Sequence, residues 1–291
     1  MLNILVTGAT GFIGSNLVRK LRTHEDYQIL ALARGLRDTS DIEGRNVKIM
    51  KCDILDRDRL SEATKGADIV IHLAALKAHY ESRDSIIATN VQGTRNLLEC
   101  SRDVKQFIFA SSTLASNPLD AYSESKKECE QVMRESETNF TILRIGPVFG
   151  AGDTTNLTKL IELVQNGKTI PIPGDGKQVI QPTHVDDVVE AIEHTIMNSE
   201  LFNKTRVIAG KPVTLALFID LACRVLKKKS KSIHIPVGIL KPMVKVYQKM
   251  SDSPKITVEQ LNNLGKGTTN DIFESDFPTA ALDVSIQKTS L

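Results

Sequence analysis

The sequence predicts an α/β fold in which a doubly wound parallel sheet carries a smaller lobe, interleaved with it toward the C-terminus. Three observations predict it. Short β-branched runs alternate with longer stretches of helical periodicity over the first half of the chain, the pattern of successive βα units. Glycines spaced three apart follow the first of those runs directly. From Gly146 to about Gln181 the alternation stops, and Gly146-Pro147, Pro171, Pro173-Gly174 and Gly176 mark loops.

Taken in order, residues 2–6 form the first strand and 12–22 the first helix, which follows the glycine loop. Strands at 28–33, 47–52, 69–73, 107–110 and 141–145 are apolar, β-branched runs of strand length. Between them, residues 59–64, 90–100 and 121–136 repeat apolar residues at helical spacing. Residues 184–197 and 207–209 read as a return to the sheet, and 214–226 as a helix. The sheet domain is thus expected over 1–148, completed by about 184–225, with the lobe over 149–183 and 226–282. Residues 283–291, polar and without periodicity, are expected to be a loose tail.

A chain of 291 residues buries a core without metal or disulfide staples. Its 41% apolar and 25% charged residues exclude a disordered or fibrous chain. A net charge of +2 with scattered basic residues gives no nucleic-acid footprint. The run Lys227-Lys228-Lys229-Ser230-Lys231 reads as a solvated helix end and loop. Cys52, Cys100, Cys129 and Cys223 lie far apart, with no histidine at ligand spacing, so no metal site and no disulfide framework is expected. No apolar stretch reaches membrane-spanning length and none resembles a signal peptide, so the expected location is the cytoplasm.

The loop Thr7-Gly8-Ala9-Thr10-Gly11-Phe12-Ile13-Gly14 sits between a strand and a helix, as a Rossmann dinucleotide site requires. The first glycine permits the sharp turn, the second lets a pyrophosphate approach the backbone, and the third lets the helix pack on the strand. The second strand ends Ala31-Leu32-Ala33-Arg34. An acid there would take both ribose hydroxyls; Arg34, with Arg37, leans the choice from NAD toward NADP.

This loop resembles the T-G-x-x-G-F-I-G form of the extended short-chain dehydrogenase/reductases, the NAD-dependent epimerase/dehydratase family, and further matches follow in the family's order. They are Asp53-Ile54, His72-Leu73-Ala74-Ala75, Asn90-Val91-Gln92-Gly93-Thr94-Arg95-Asn96, Ser111-Ser112, Tyr122-Ser123-Glu124-Ser125-Lys126, the run from Arg144 to Gly150, and His184-Val185-Asp186-Asp187-Val188. The resemblance implies a nicotinamide cofactor on Gly8, Thr10, Gly11, Phe12, Ile13 and Gly14, bordered by Asp53 and Ile54. It adds Leu73, Ala74, Ala75 and Asn90 to the same site, with Tyr122 and Lys126 beside the nicotinamide ribose.

Tyr122 and Lys126 are four apart and share a helix face, where an ammonium is expected to depress the phenol's pKa and make it a usable acid/base. Ser112 aligns with the last of the family's polar trio and is expected to hydrogen-bond the substrate oxygen; Ser111 and Thr113 are its rivals. Two departures from the family pattern bear on substrate. Only ten positions separate Ser112 from Tyr122, which trims a loop that usually carries a V-Y-G turn. Ile180 stands where nucleotide-sugar members often place an arginine.

Dehydratases follow the active serine or threonine with an Asp-Glu pair, whereas Ser112 is followed by Thr113-Leu114. That leaves a 4-epimerase or a ketoreductase acting on a sugar or nucleotide sugar, and Arg34 pulls toward reduction. Lys77, His79 and Tyr80 are pocket-rim candidates. An alternative is an NADP-binding structural or assembly subunit of a respiratory complex, which the 181–188 run and Thr257-Val258-Glu259-Gln260-Leu261 also resemble. An intact Tyr122–Lys126 pair speaks against it. The family likeness also implies a homodimer through helices 90–100 and 121–136. Their outer faces are polar, with Gln92, Arg95, Glu99 and Arg102 on one and Lys127, Glu128, Gln131, Arg134 and Glu135 on the other.

Overall fold

Seven parallel strands make the central sheet: β1 (Leu2–Thr7), β2 (Tyr27–Ala33), β3 (Val47–Lys51), β4 (Ile69–His72), β5 (Gln106–Ser112), β6 (Phe140–Ile145) and β11 (Lys204–Ile208). The computed structural model describes residues 1–35, 39–77, 82–153, 156–250 and 271–290. The chain divides into two units, the first holding the described residues up to 145 together with 188–208, the second holding 146–187 and the described residues from 209 onward.

In the first unit the strand order is β11-β6-β5-β4-β1-β2-β3. The order reverses between β1 and β4, and ligands of such sheets bind outside the strand C-termini at that reversal. Thr7 and His72 end those two strands. β4 and β5 are buried along their whole length, and their central stretches 69–71 and 107–110 are unbroken apolar runs. Helices α1 (Phe12–Leu21), α2 (Arg57–Thr64), α3 (Arg83–Cys100) and α4 (Ala121–Arg134) follow β1, β3, β4 and β5. Leu60, Leu97, Leu98, Val132 and Met133 of α2, α3 and α4 close over Leu5, Val70, Phe107, Phe109 and Ile142 of the sheet. α3 starts seven residues before the periodic stretch from Asn90, with Ser82 as its N-cap accepting from Ser85 N at 3.1 Å.

The second unit has three two-stranded pairs. β7 (Val148–Phe149) lies parallel to β10 (Thr183–His184), β8 (Ile170–Pro173) parallel to β13 (Ser232–Ile235), and β9 (Val179–Ile180) antiparallel to β12 (Val213–Thr214). Around them run α5 (Asn156–Gln165), α7 (Leu215–Val225), α8 (Val237–Met250) and α9 (Leu282–Thr289), while α6 (Val185–Thr195) follows β10. Residues 214–226 do not complete the sheet as expected: Phe218, Ile219 and Ala222 of α7 pack with Ile161 of α5 and Ile172 of β8. The segment expected to be a loose tail is instead the helix α9, with Ile286 fully buried and Lys288 paired with Asp186 at 2.9 Å. Two turns of helix offer one i, i+4 apolar pair, Leu282 and Ile286, too short a signal to read as periodicity.

No described helix is long and apolar enough to cross a membrane, and no described cluster of His, Cys, Asp or Glu could hold a metal. All four cysteines are free.

Candidate functional site

The glycine loop has the geometry its spacing predicts. Gly8 has φ +68°, and a Cβ there would lie 2.7 Å from Ala74 N at the end of β4. A Cβ on Gly14 would overlap the Gly8 carbonyl oxygen, so only glycine lets α1 sit this close to the turn. Gly11 caps α1 with extended backbone, its N–H donating to Gly8 O at 2.9 Å. No side chain caps the helix and no acid occupies its first turn. Its N-terminal amides are therefore left for an anion, the arrangement a dinucleotide pyrophosphate needs. Thr10, Phe12 and Ile13 are half-buried around this turn.

Beneath the loop runs a buried polar chain. The Ala74 N–H donates to Thr7 Oγ1 at 3.2 Å, and Thr7 Oγ1 lies 2.7 Å from His72 Nδ1. His72 Nε2 lies 3.1 Å from Thr94 Oγ1, which donates in turn to the Asn90 carbonyl at 2.8 Å. That direction makes Nε2 the protonated nitrogen and Nδ1 the acceptor. Burial first, then the charge of Lys126, holds the imidazole pKa at about 3, so His72 is neutral at every physiological pH.

Each matching position of the Asn90–Asn96 motif has a mechanical task. Asn90 clamps the chain after β4, accepting from Leu76 N at 2.7 Å and donating to Leu76 O at 3.1 Å. Its Nδ2 also donates to Ser125 Oγ of α4 at 2.8 Å. Gly93 makes room for Ile54, which a Cβ would overlap. Asn96 donates to Ile54 O at 3.3 Å, fixing the segment expected to border the adenine. Asp53 accepts from Leu55 N at 2.9 Å. Leu73, Ala74 and Ala75 are half-buried beyond β4 and Lys77 is exposed. Arg34 is exposed at the end of β2. Arg37, His79, Tyr80 and the 257–261 run lie outside the described residues.

Asp120 opens α4 with a capping box, accepting from Ser123 N at 2.8 Å, so Tyr122 stands in the first turn. Lys126, one turn on, is 2% exposed; its Nζ donates to Ala110 O at 2.6 Å and lies 4.6 Å from the Phe109 ring centroid. Burial lowers its pKa to about 8. Tyr122 departs from expectation. Its pKa is raised by burial and by the Asp120 charge instead of being depressed. The Lys126 ammonium is engaged by Ala110 O and stands 5.8 Å from the Tyr122 ring centroid, too weak a neighbour to offset desolvation.

Strand alternation separates the two serines. Ser111 Oγ donates to Glu130 Oε1 at 2.7 Å, and Ser112 Oγ accepts from Leu114 N at 3.2 Å at the end of β5. Sequence reasoning missed Glu130, which is 1% exposed and gripped by Arg144 through Nε and Nη2 at 2.8 Å each. Burial pushes the carboxyl pKa up, but the bonds from Arg144 and Ser111 outweigh it and the net shift is downward. Only its i+4 spacing from Lys126 could have pointed to it.

The family model described as NAD dependent epimerase/dehydratase family matches residues 4–209. Over 262 residues the chain is 28% identical to the N-acetyl-alpha-D-glucosaminyl-diphospho-ditrans,octacis-undecaprenol 4-epimerase of Escherichia coli O157:H7, spanning 80% of this chain and 75% of that one. Among solved structures it resembles the UDP-glucuronic acid 4-epimerase of Bacillus cereus in complex with UDP-glucuronic acid and NAD. There the TM-score is 0.76 and the identity 22%, over 99% of this chain and 98% of that one. It is also similar to MoeE5 in complex with UDP-glucuronic acid and NAD, at a TM-score of 0.70 and 26% identity over 80% of this chain and 85% of that one. Both complexes contain NAD, so the leaning toward NADP drawn from Arg34 gains no support from them.

Proposed function

Because the chain belongs to the NAD-dependent epimerase/dehydratase family, we propose that it is a nicotinamide-dependent sugar 4-epimerase acting through Ser112, Tyr122 and Lys126. The observation that carries this reading is the placement of Tyr122 one turn from the buried Lys126, whose ammonium is fixed to Ala110 two residues before Ser112. A bound nicotinamide ring supplies hydride transfer to and from the sugar carbon. Burial holds the free phenol of Tyr122 protonated, and the cationic ring of bound NAD would favour its phenolate, which would take the proton of the sugar hydroxyl as that carbon becomes a ketone and return it when the opposite face is reduced. Ser112 Oγ hydrogen-bonds the same oxygen, and Lys126 holds the cofactor ribose beside the phenol. The uncapped N-terminus of α1 carries the pyrophosphate. The substrate is a sugar or nucleotide sugar.

The test is incubation of the purified protein with catalytic NAD and a UDP-hexose. Appearance of the 4-epimer without net consumption of NAD supports the reading. Stoichiometric consumption of NADPH would make the enzyme a ketoreductase instead.

Arg34 is the residue of this site through which NADP would be read. Arg34→Ala is expected to weaken NADP by about 1–2 kcal/mol, the worth of charge-assisted bonds to a phosphate, while sparing NAD. Equal losses in titrations of the two cofactors would remove Arg34 from that role. We also propose a homodimer through the exposed faces of α3 and α4, with a largely polar interface. Light scattering across a dilution series should give twice the chain mass; a single-chain mass at every concentration would exclude it.

A further inference from the structure

The lysine run past α7 has no place in the reaction just described. Between Asp220 and Asp252 the chain contains eight lysines and arginines and no acid. Two residues past the end of α7, Lys227 turns the chain with a φ of +52°, and Lys227, Lys228 and Lys229 are exposed. Lys231, also exposed, leads into β13, which among the described strands pairs with β8 alone. Ile233 stands opposite the exposed Pro171 and is itself 50% exposed. After Pro236, α8 presents Ile239 at 56% exposure, while the exposed Lys241 and Lys245 lie on other sides of the helix and Val244 is buried. The neighbouring acid of the β8 loop, Asp175, lies 3.6 Å from Lys177 and is balanced by it.

We propose that this face, built from the 227–231 lysine run, β13 and the start of α8, docks on an anionic lipid membrane surface. Lysines alone would suit any polyanion. The two exposed isoleucines within the same lysine-rich segment favour a lipid surface, where apolar side chains enter the acyl boundary while ammonium groups stay with the headgroups. A nucleic acid would leave the isoleucines without a partner. At 14 residues, α8 is too short to span a bilayer, so docking is interfacial. The negative surface potential of anionic lipid attracts each nearby lysine by an amount equivalent to about a fivefold gain in partitioning.

The experiment is flotation of the full chain with vesicles of phosphatidylcholine alone and of phosphatidylcholine mixed with phosphatidylglycerol, at low and high salt. Binding is expected to the anionic vesicles only, and salt should weaken it. The triple variant Lys227→Gln, Lys228→Gln, Lys229→Gln should partition on the order of a hundredfold less. Ile239→Asp should also release the protein, although it leaves every lysine in place. Failure to float with anionic vesicles, or equal flotation of the triple variant, overturns the proposal. Retention of binding by Ile239→Asp, with equal affinity for heparin, would make the face a general polyanion site and overturn it too. Epimerase activity on a soluble UDP-sugar is read separately, so loss of docking and absence of the proposed activity are distinguishable.

Discussion

Tyr122→Phe is expected to lower turnover by about a thousandfold, within the range general acid–base groups contribute, while changing cofactor affinity less than about twofold. The ring keeps its place in the first turn of α4, and Asp120 still caps the helix. Only the hydroxyl that moves the proton is lost. Steady-state kinetics with a 4-epimeric sugar pair and a cofactor titration separate the two quantities. Unchanged kcat would remove the mechanism. A wild-type protein that binds dinucleotide but turns over no sugar would favour the non-catalytic subunit reading.

Lys126→Met is expected to stop nearly all turnover and yet to raise the melting temperature at neutral pH. Burial lowers the folded-state pKa of this ammonium from 10.5 to about 8, so the folded chain binds its proton less readily than the unfolded chain does. The wild type therefore bears the full cost of the buried charge below about pH 8 and sheds it as pH rises from about 8 to 10.5. Methionine carries no such cost. The shift corresponds to at most about 3 kcal/mol, reduced by about 1 kcal/mol when Ala110 O loses its donor. Thermal melts should show the variant a few degrees more stable at pH 7, with the gap closing toward about pH 10. A variant less stable at pH 7, or one with wild-type kcat, would contradict this account.

The strands of the sheet were legible because parallel strands are buried on both faces: Ile69 to Ile71 are wholly inaccessible, and nothing polar interrupts the run. β11 was legible only at its apolar end, since Lys204, Thr205 and Arg206 form the edge of the sheet. β8 was read as loop because of Pro171 and Pro173. Its ladder bonds to β13 run from Ile170 N and Gly174 N, at 2.9 Å each, so by alternation both prolines fall where N–H groups would point away from the partner. The turn of the glycine loop was legible, because the positive φ of Gly8 and the close approach at Gly14 follow from the spacing itself. The raised pKa of Tyr122 was not: helical spacing brings a lysine near, but whether its charge reaches the phenol depends on the Ala110 carbonyl, which comes from another element. Ser112 and Ser111 could be ranked only once Glu130 was seen to hold Ser111.

The chain of bonds through Thr7, His72, Thr94 and Asn90 has a consequence for engineering. The glycine loop is braced from two remote stretches of sequence, and the brace depends on an imidazole kept uncharged in a buried interior. A loop transplanted onto another strand–helix turn would carry its glycines but leave its supports behind. A working graft would have to bring the threonine before the first glycine, the histidine that ends the fourth strand and the threonine of the third helix as one cassette.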